Sequence, residues 1–437
     1  MRKRITAIAS ILAVAMMIGP RVWGADPQQP IPLGTVITQQ NWQQYSQYMG
    51  EPLKHMFMST SPVSGWPSRA QAIVGPTLHY PLPKAYWDAT EKYAKQVQLV
   101  KVPNGSYTLK GYVAGLPFPD LKADDPLAGY KLVYDVYFQH TPAIQVNNQI
   151  QVIDIDHYGN EADLLALVVT FQWLHNTDAG YPMNVANTDV YLSGEAEQLA
   201  PEQIKYITAV NFTWDDPDRL PESYVFLPSL RRALRLSSNA RCAPFQGQDF
   251  ANDDITPVPL PPTWFKAQFL GKQKLLSFIF KPDEKTRELS KDRGNWDKDK
   301  GNYIPKASVF GASWQLRDTY VLAMQRLPQY THGYCYADRR HYLDAEQAEA
   351  LGWCNWDQND KFYRDMVVFA MPEKYKNSDG WYVWGNVWAH DGCDYQTDHC
   401  SQLLPAIGGN YMNQDTPPQF QNRTLYGTPG GLQQIMR

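Results

Sequence analysis

The spacing of apolar positions changes along this chain, and each spacing predicts a different element. Trp42, Tyr45 and Met49 recur at helical intervals, and so do Tyr86, Thr90, Tyr93 and Val97. Pro81 and Pro83 precede the second run and Pro103-Asn104-Gly105 follows it, which supplies start and stop signals. From Tyr130 to Phe138 apolar residues fall at every second position, which predicts a strand. Further strands are predicted at 144–155, 164–174, 206–214, 224–227, 277–280, 307–315, 319–326, 334–343 and 362–369. Turn chemistry separates them, as in Asp156-His157-Tyr158-Gly159-Asn160. The charge-rich stretch 281–306 reads as a long exposed loop. Many strands with few helices between them predict a mainly β (α+β) chain, built on an antiparallel sheet that is curved or nearly closed.

The N-terminus has a separate pattern. Arg2, Lys3 and Arg4 precede an uncharged apolar run from Ile5 to Gly19, and Pro20 and Arg21 end it. This predicts a cleavable secretory signal peptide over 1–24, cut after Gly24. The run is short for a membrane span, and the longest later apolar stretch, Leu164 to Phe171, is strand-sized. Losing Arg2, Lys3, Arg4 and Arg21 removes four positive charges and takes the formal net charge from −4 to −8. That balance argues against a nucleic-acid partner and against simple docking on anionic lipid. The 14 Trp, 27 Tyr and 16 Phe suit broad β surfaces and apolar clefts.

Export to an oxidising compartment makes disulfides the default for Cys242, Cys335, Cys354, Cys393 and Cys400. Cys393 and Cys400 close a short loop and are expected to pair. Cys335 and Cys354 flank a predicted hairpin and are the second preference, which leaves Cys242 over. Other pairings stay open.

Signatures of the common enzymes are missing: there is no G-x-S-x-G, H-E-x-x-H, G-x-x-x-x-G-K, G-x-G-x-x-G or C-x-x-C. Three weaker constellations remain. Asp154 and Asp156 share a strand face, about 6.5 Å apart, and His157 follows; a polar strand end before a turn is the simpler reading. His390, Cys393, His399 and Cys400 are zinc-type ligands, but a Cys393–Cys400 disulfide suits the compartment better. Arg231, Arg232, Arg235 and Arg241 could hold an anionic head group; internal pairing with Asp249, Asp253 or Asp254 is preferred. No catalytic residue, metal or cofactor is assigned.

The run Tyr224-Val225-Phe226-Leu227-Pro228-Ser229-Leu230-Arg231-Arg232, followed by Gly247-Gln248-Asp249-Phe250 and Asp253-Asp254, resembles the lipoprotein carriers LolA and LolB. The motif residues are Leu227, Pro228, Arg231, Arg232, Gly247, Asp249, Phe250 and Asp254. More of the chain is similar to a family of Gram-negative periplasmic proteins known only as a domain of unknown function. That likeness includes Asn41-Trp42, Asp88-Ala89-Thr90, Gly115-Leu116-Pro117-Phe118-Pro119, Trp314 with Arg317, Arg339 to Asp344, and Trp356-Asp357 to Arg364. The sequence departs from it in its cysteines and from Glu373 onward.

The resemblance implies a strongly curved, incomplete antiparallel barrel over 126–437, with the helical or irregular segment 25–125 packed on it as a lid. It implies a non-enzymatic periplasmic carrier or chaperone, with a hydrophobic small molecule or lipid as ligand, at most peripheral to the outer membrane. Its companions would be an outer-membrane barrel and an inner-membrane efflux-type transporter. Trp173, Trp214, Phe226 and Trp314 are the candidate lining residues. The alternatives are a secreted hydrolase using Asp154, Asp156 and His157, and a ligand-free accessory of a transport complex.

Overall fold

The computed structural model describes residues 29–66, 72–237, 242, 248–249, 251–254, 258, 260–279, 313–331, 334–370, 372–382, 390–404, 406 and 408–434. The signal-peptide reading, the loop expected at 281–306, Arg241, Gly247 and Phe250 lie outside them. The described strands are β1 (Val36–Ile37), β2 (Ala72–Val74), β3 (Gln98–Lys101), β4 (Tyr107–Lys110), β5 (Ile144–Ile155), β6 (Glu161–Gln172), β7 (Val190–Ala200), β8 (Thr208–Trp214) and β9 (Glu222–Leu227). They continue as β10 (Arg232–Arg235), β11 (Phe265–Ile279), β12 (Ser313–Arg326), β13 (Asp338–Asp344), β14 (Ala350–Trp356), β15 (Phe362–Ala370), β16 (His390–Asp394), β17 (His399–Leu404) and β18 (Asn410–Met412). Five described α-helices accompany them: α1 (Glu51–Met58), α2 (Lys84–Tyr93), α3 (Ala128–Tyr137), α4 (Arg423–Tyr426) and α5 (Pro429–Leu432).

Apart from the β3–β4 hairpin, these strands form one 16-stranded sheet in the order β1-β2-β12-β13-β14-β15-β16-β17-β5-β6-β7-β8-β9-β10, with β11 beside β12 and β18 beside β5. Pairing is antiparallel except at two short parallel contacts, β2 with β12 and β11 with β15. The second places Phe278 against Phe369 and Ile279 against Ala370, so β11 to β15 close on themselves at one end. The strands from β16 to β10 continue as an open wing. The protein is thus mainly β, an incomplete barrel of strong curvature. No helix among the described residues is long and apolar enough to cross a membrane.

The strand expected over 130–138 is instead helix α3, and the cause lies in its burial. Every residue from Ala128 to Val136 except Lys131 is buried, so apolar positions satisfy a period of two as readily as 3.6. The helix presses on β11: a Cβ on Gly129 would lie 2.6 Å from the backbone nitrogen of Gln268. Asp135, buried on the same helix, accepts the Phe118 N–H at 2.7 Å, and burial pushes its carboxyl well above the ordinary range. Residues 313–315 and 319–326, expected in two separate strands, belong to one, Ser313–Arg326; 307–312 lie outside the described residues. Strands β7, β14, β16 and β17 have no counterpart in the sequence reading.

The segment before α3 is not only helical and irregular. It contributes β1 and β2 to the sheet and the β3–β4 hairpin beside it. Trp42 to Tyr48, expected to be α-helical, form a 3-10 helix.

Candidate ligand site

Helix α1 covers part of the barrel, and its sequence explains how. In Glu-Pro-Leu-Lys-His-Met-Phe-Met, the buried positions are Pro52, Leu53, Met56 and Phe57, a single stripe at helical spacing. Gly50 precedes the helix, and the backbone N–H of Glu51 donates to the Tyr342 hydroxyl of β13 at 3.0 Å. The buried stripe meets an aromatic stack: Phe57 lies 4.4 Å from Trp66, Trp66 lies 5.4 Å edge-on to Trp314, and Trp314 lies 4.1 Å from Phe278. Trp314, expected to line a cleft, is fully buried here, and its indole N–H has no hydrogen-bond acceptor.

Between the start of α1 and the sheet lies a small apolar cleft lined by Pro52, Leu53, Leu276, Phe278, Leu351 and Val367. It is little more than water-sized. His55, on the same helix, stacks on Phe362 with ring centroids 3.5 Å apart.

The other three candidate residues lie elsewhere, under the C-terminal helices α4 and α5. Trp173 donates its indole N–H to Ser193 at 2.8 Å, beneath Gly427, where a Cβ would lie 3.0 Å from the Trp173 ring. Trp214 and Phe226 share a cluster with Val210, Phe212 and Leu432. The four candidates therefore divide between two helix-covered regions and do not meet in one cleft.

The motif residues resolve into a turn and a buried ion network. Leu227 ends β9, Pro228 to Arg231 turn with Arg231 at φ 51°, and Arg232 begins β10. Arg231 and Arg232 are exposed, and Arg235 pairs with Glu222 at 3.1 Å. Of the acids expected to pair with this cluster, Asp254 has Arg339 at 3.7 Å and Arg364 at 4.0 Å as its described arginine neighbours. Asp254 also accepts from Tyr336 and, at 3.1 Å, from Asn355. Arg339, Asn355 and Arg364 come from β13, β14 and β15, which only the sheet brings together.

Asp154, Asp156 and His157 do not converge. Asp156 is half-buried and caps its own turn, accepting the N–H groups of Tyr158 at 2.9 Å and Asn160 at 2.8 Å. His157 is exposed on that turn. Asp154 accepts the Ser401 hydroxyl at 2.6 Å. Asp249 lies on the far side of the same hydroxyl, with its carboxylate at 3.0 Å and its own backbone N–H donating to Oγ at 2.8 Å. Burial pushes Asp154 up to about 7 and raises Asp249 as well.

Cys393 and Cys400 are bonded. They face one another in register on β16 and β17. The expected Cys335–Cys354 pair is corrected: Cys335 is bonded to Cys242, and Cys354 is a buried free thiol. The register is the reason, since Cys354 stands opposite Arg340, five residues along from Cys335. Its neighbours are Leu275, Val321 and Tyr342. With both sulfurs of Cys393 and Cys400 in a disulfide, the zinc-type set at 390–400 has no thiolate to offer.

A family profile for a "protein of unknown function (DUF1329)" matches residues 36–415. A DUF1329 family protein from Desulfovibrio piger superposes with a TM-score of 0.47 at 12% identity, over 69% of this chain and 99% of its own. A domain from Vibrio parahaemolyticus, provisionally assigned to outer-membrane lipoprotein sorting, gives 0.45 at 13%, over 68% and 97%. A LolA superfamily protein from Nitrosomonas europaea gives 0.36 at 12%, over 67% and 96%. No curated protein matches the chain.

Proposed function

We propose that this chain, which belongs to the DUF1329 family of proteins of unknown function, is a non-catalytic periplasmic carrier for a hydrophobic ligand. The observation that carries the reading is the cover over the aromatic stack at Trp314. Part of that cover is one eight-residue helix, α1, with a small apolar cleft at its N-terminal end. A helix of this length is marginal by itself and persists only through its packing. Lifting it exposes Leu276, Phe278 and Val367 without breaking any strand pairing. An acyl chain laid there gains about 0.8 kcal/mol per buried methylene, which replaces the contacts that α1 gives up. The apolar run at 5–19 supports export, and the net acidity of the chain suits a ligand held by apolar contact.

The hydrolase reading loses its motive, because His157 is exposed on a turn, Asp156 caps that turn and Asp154 is engaged by the Ser401 hydroxyl. A ligand-free accessory of an outer-membrane barrel and an efflux-type transporter is the outcome that a failed binding test supports. The test is equilibrium binding of a fluorescent acyl probe. Saturable one-to-one binding is expected, weakened about tenfold or more by Val367→Trp, which fills the cleft, and unchanged by Met58→Ser on the exposed side of α1. Absence of saturable binding to the wild-type chain contradicts the proposal.

A further inference from the structure

Strand β7 is built inside out. Its sequence, Val-Tyr-Leu-Ser-Gly-Glu-Ala-Glu-Gln-Leu-Ala, turns Ser193, Glu195 and Glu197 to the covered face and leaves Leu192, Gly194 and Ala196 half-exposed. The register places Glu195 between Val169 of β6 and Val210 of β8, and Glu197 between Leu167 and Thr208. Glu195 is 2% exposed, and neither of its carboxyl oxygens has a hydrogen-bond partner. Glu197 is 8% exposed.

Burying a carboxyl without a donor opposes folding, and an alanine or valine at position 195 would remove that cost. The described residues of the surrounding elements offer no counter-ion. Arg423 of α4 donates to the carbonyl oxygens of Gln172 at 2.7 Å and Ala143 at 3.3 Å. Glu222, further along the same face, is held by Arg219 and Arg235, with the Tyr224 hydroxyl on its other oxygen. Asp163 is held by Gln151 at 2.8 Å. Tyr426, on the cover, is the remaining titratable side chain near the pair. The cover is two single-turn helices, α4 and α5, packed on the sheet through Phe420, Tyr426 and Leu432.

Two carboxyl groups about 6.5–7 Å apart on one strand, walled by aliphatic and aromatic side chains, match an ammonium group on an apolar chain. The ammonium donates three N–H groups to acceptors that now have none, and the ring faces nearby add cation–π attraction. We propose that Glu195 and Glu197 form a head-group site for an amine-bearing amphiphile, whose chain lies along Val210, Phe212, Phe226 and Leu432 once α4 and α5 lift. The inference rests on the carrier reading and adds a second ligand site, apart from the cleft under α1, with an amine-bearing amphiphile as its cargo.

Burial pushes Glu195 up to about 9, with the charge of Glu197 adding to the effect, and burial raises Glu197 too. At neutral pH the site therefore holds a proton that a cation has to displace, so binding releases it.

The test compares dodecylammonium below its micelle-forming concentration with dodecanol below its solubility limit, on the full chain at pH 6, 7 and 8. The amine stays cationic throughout this range. The amine is expected to bind about tenfold or more tightly than the alcohol at pH 8, gaining up to about tenfold per pH unit while the alcohol stays flat. Glu195→Gln keeps the size and neutrality of the protonated side chain; it should abolish the preference and the slope and leave dodecanol unaffected. The wild-type pH profile stands even if a variant does not fold. Equal, pH-independent binding of both amphiphiles overturns this site and leaves the carrier reading intact. Binding of neither overturns both.

Discussion

The hydroxyl of Tyr342 accepts the backbone N–H of Glu51 across 291 positions of sequence, at 3.0 Å, and so ties the first turn of α1 to β13. The first N–H groups of a helix have no partner within it, and here one is met by the surface that the helix covers. Tyr342→Phe keeps the ring that packs against Gly50 and removes only the acceptor. A loss of about 1 kcal/mol is expected, confined to the cover. Hydrogen exchange should quicken across 51–58 and stay unchanged across 144–172. Uniform quickening, or none, means that this contact does not hold α1 down.

The Ser401 hydroxyl stands between two carboxyl groups, and it carries one hydrogen. When it donates to Asp154 or to Asp249, the other carboxyl is best served by keeping its own proton. Asp154, raised to about 7, holds its proton more tightly in the folded chain than in the unfolded one. Its contribution to stability is therefore fully present below about pH 4 and fades as pH rises through about 7. Asp154→Asn cannot ionise and still accepts from Ser401. Between pH 5 and pH 8 the wild-type Tm should fall further than that of the variant, because every other titrating group is common to both. Parallel profiles contradict this.

Much of the sheet was legible in the chain. Strands β5, β6, β8, β9 and β15 carry apolar runs bounded by turn residues, and the sequence marks them closely. The rest was hidden for physical reasons. Helix α3 is buried nearly all round, so its pattern carries no polar face to betray the period. Strand β7 turns its glutamates inward, against the usual alternation, and β16 and β17 bury His390, Asp391, Ser401 and Gln402 where a strand normally shows apolar side chains. The arginines that meet Asp254 stand far from it in sequence, while Arg231, Arg232 and Arg235, which are nearer, go elsewhere. Local spacing cannot see a pairing made across a sheet.

That network makes its own prediction. Asp254 sits between Arg339 and Arg364, both buried, and accepts from Tyr336, Asn355 and the Ala251 backbone. Asp254→Ala leaves two buried guanidinium groups short of a carboxylate and is expected to cost about 3–5 kcal/mol. Urea denaturation should show the midpoint shifted by that amount with little change in slope. A shift below about 1 kcal/mol identifies Asp394, which Arg364 also holds at 3.0 Å, as the main partner.

The cysteines give a chemical check on the fold. With Cys242 bonded to Cys335 and Cys393 to Cys400, one thiol remains, and Cys354 is buried. A maleimide should leave the native protein unlabelled and add once, at Cys354, after denaturation without reductant. Burial also pushes this thiol well above its ordinary range, which slows its reaction further. Labelling at Cys242 or Cys335 under those conditions contradicts the connectivity.

The most direct test of the carrier reading is native mass spectrometry of the gently purified protein, with organic extraction of whatever remains bound. The account predicts a stoichiometric apolar ligand, released on unfolding. A clean apo mass that persists after incubation with envelope lipids would contradict it, and would leave the chain as an accessory protein with no cargo of its own.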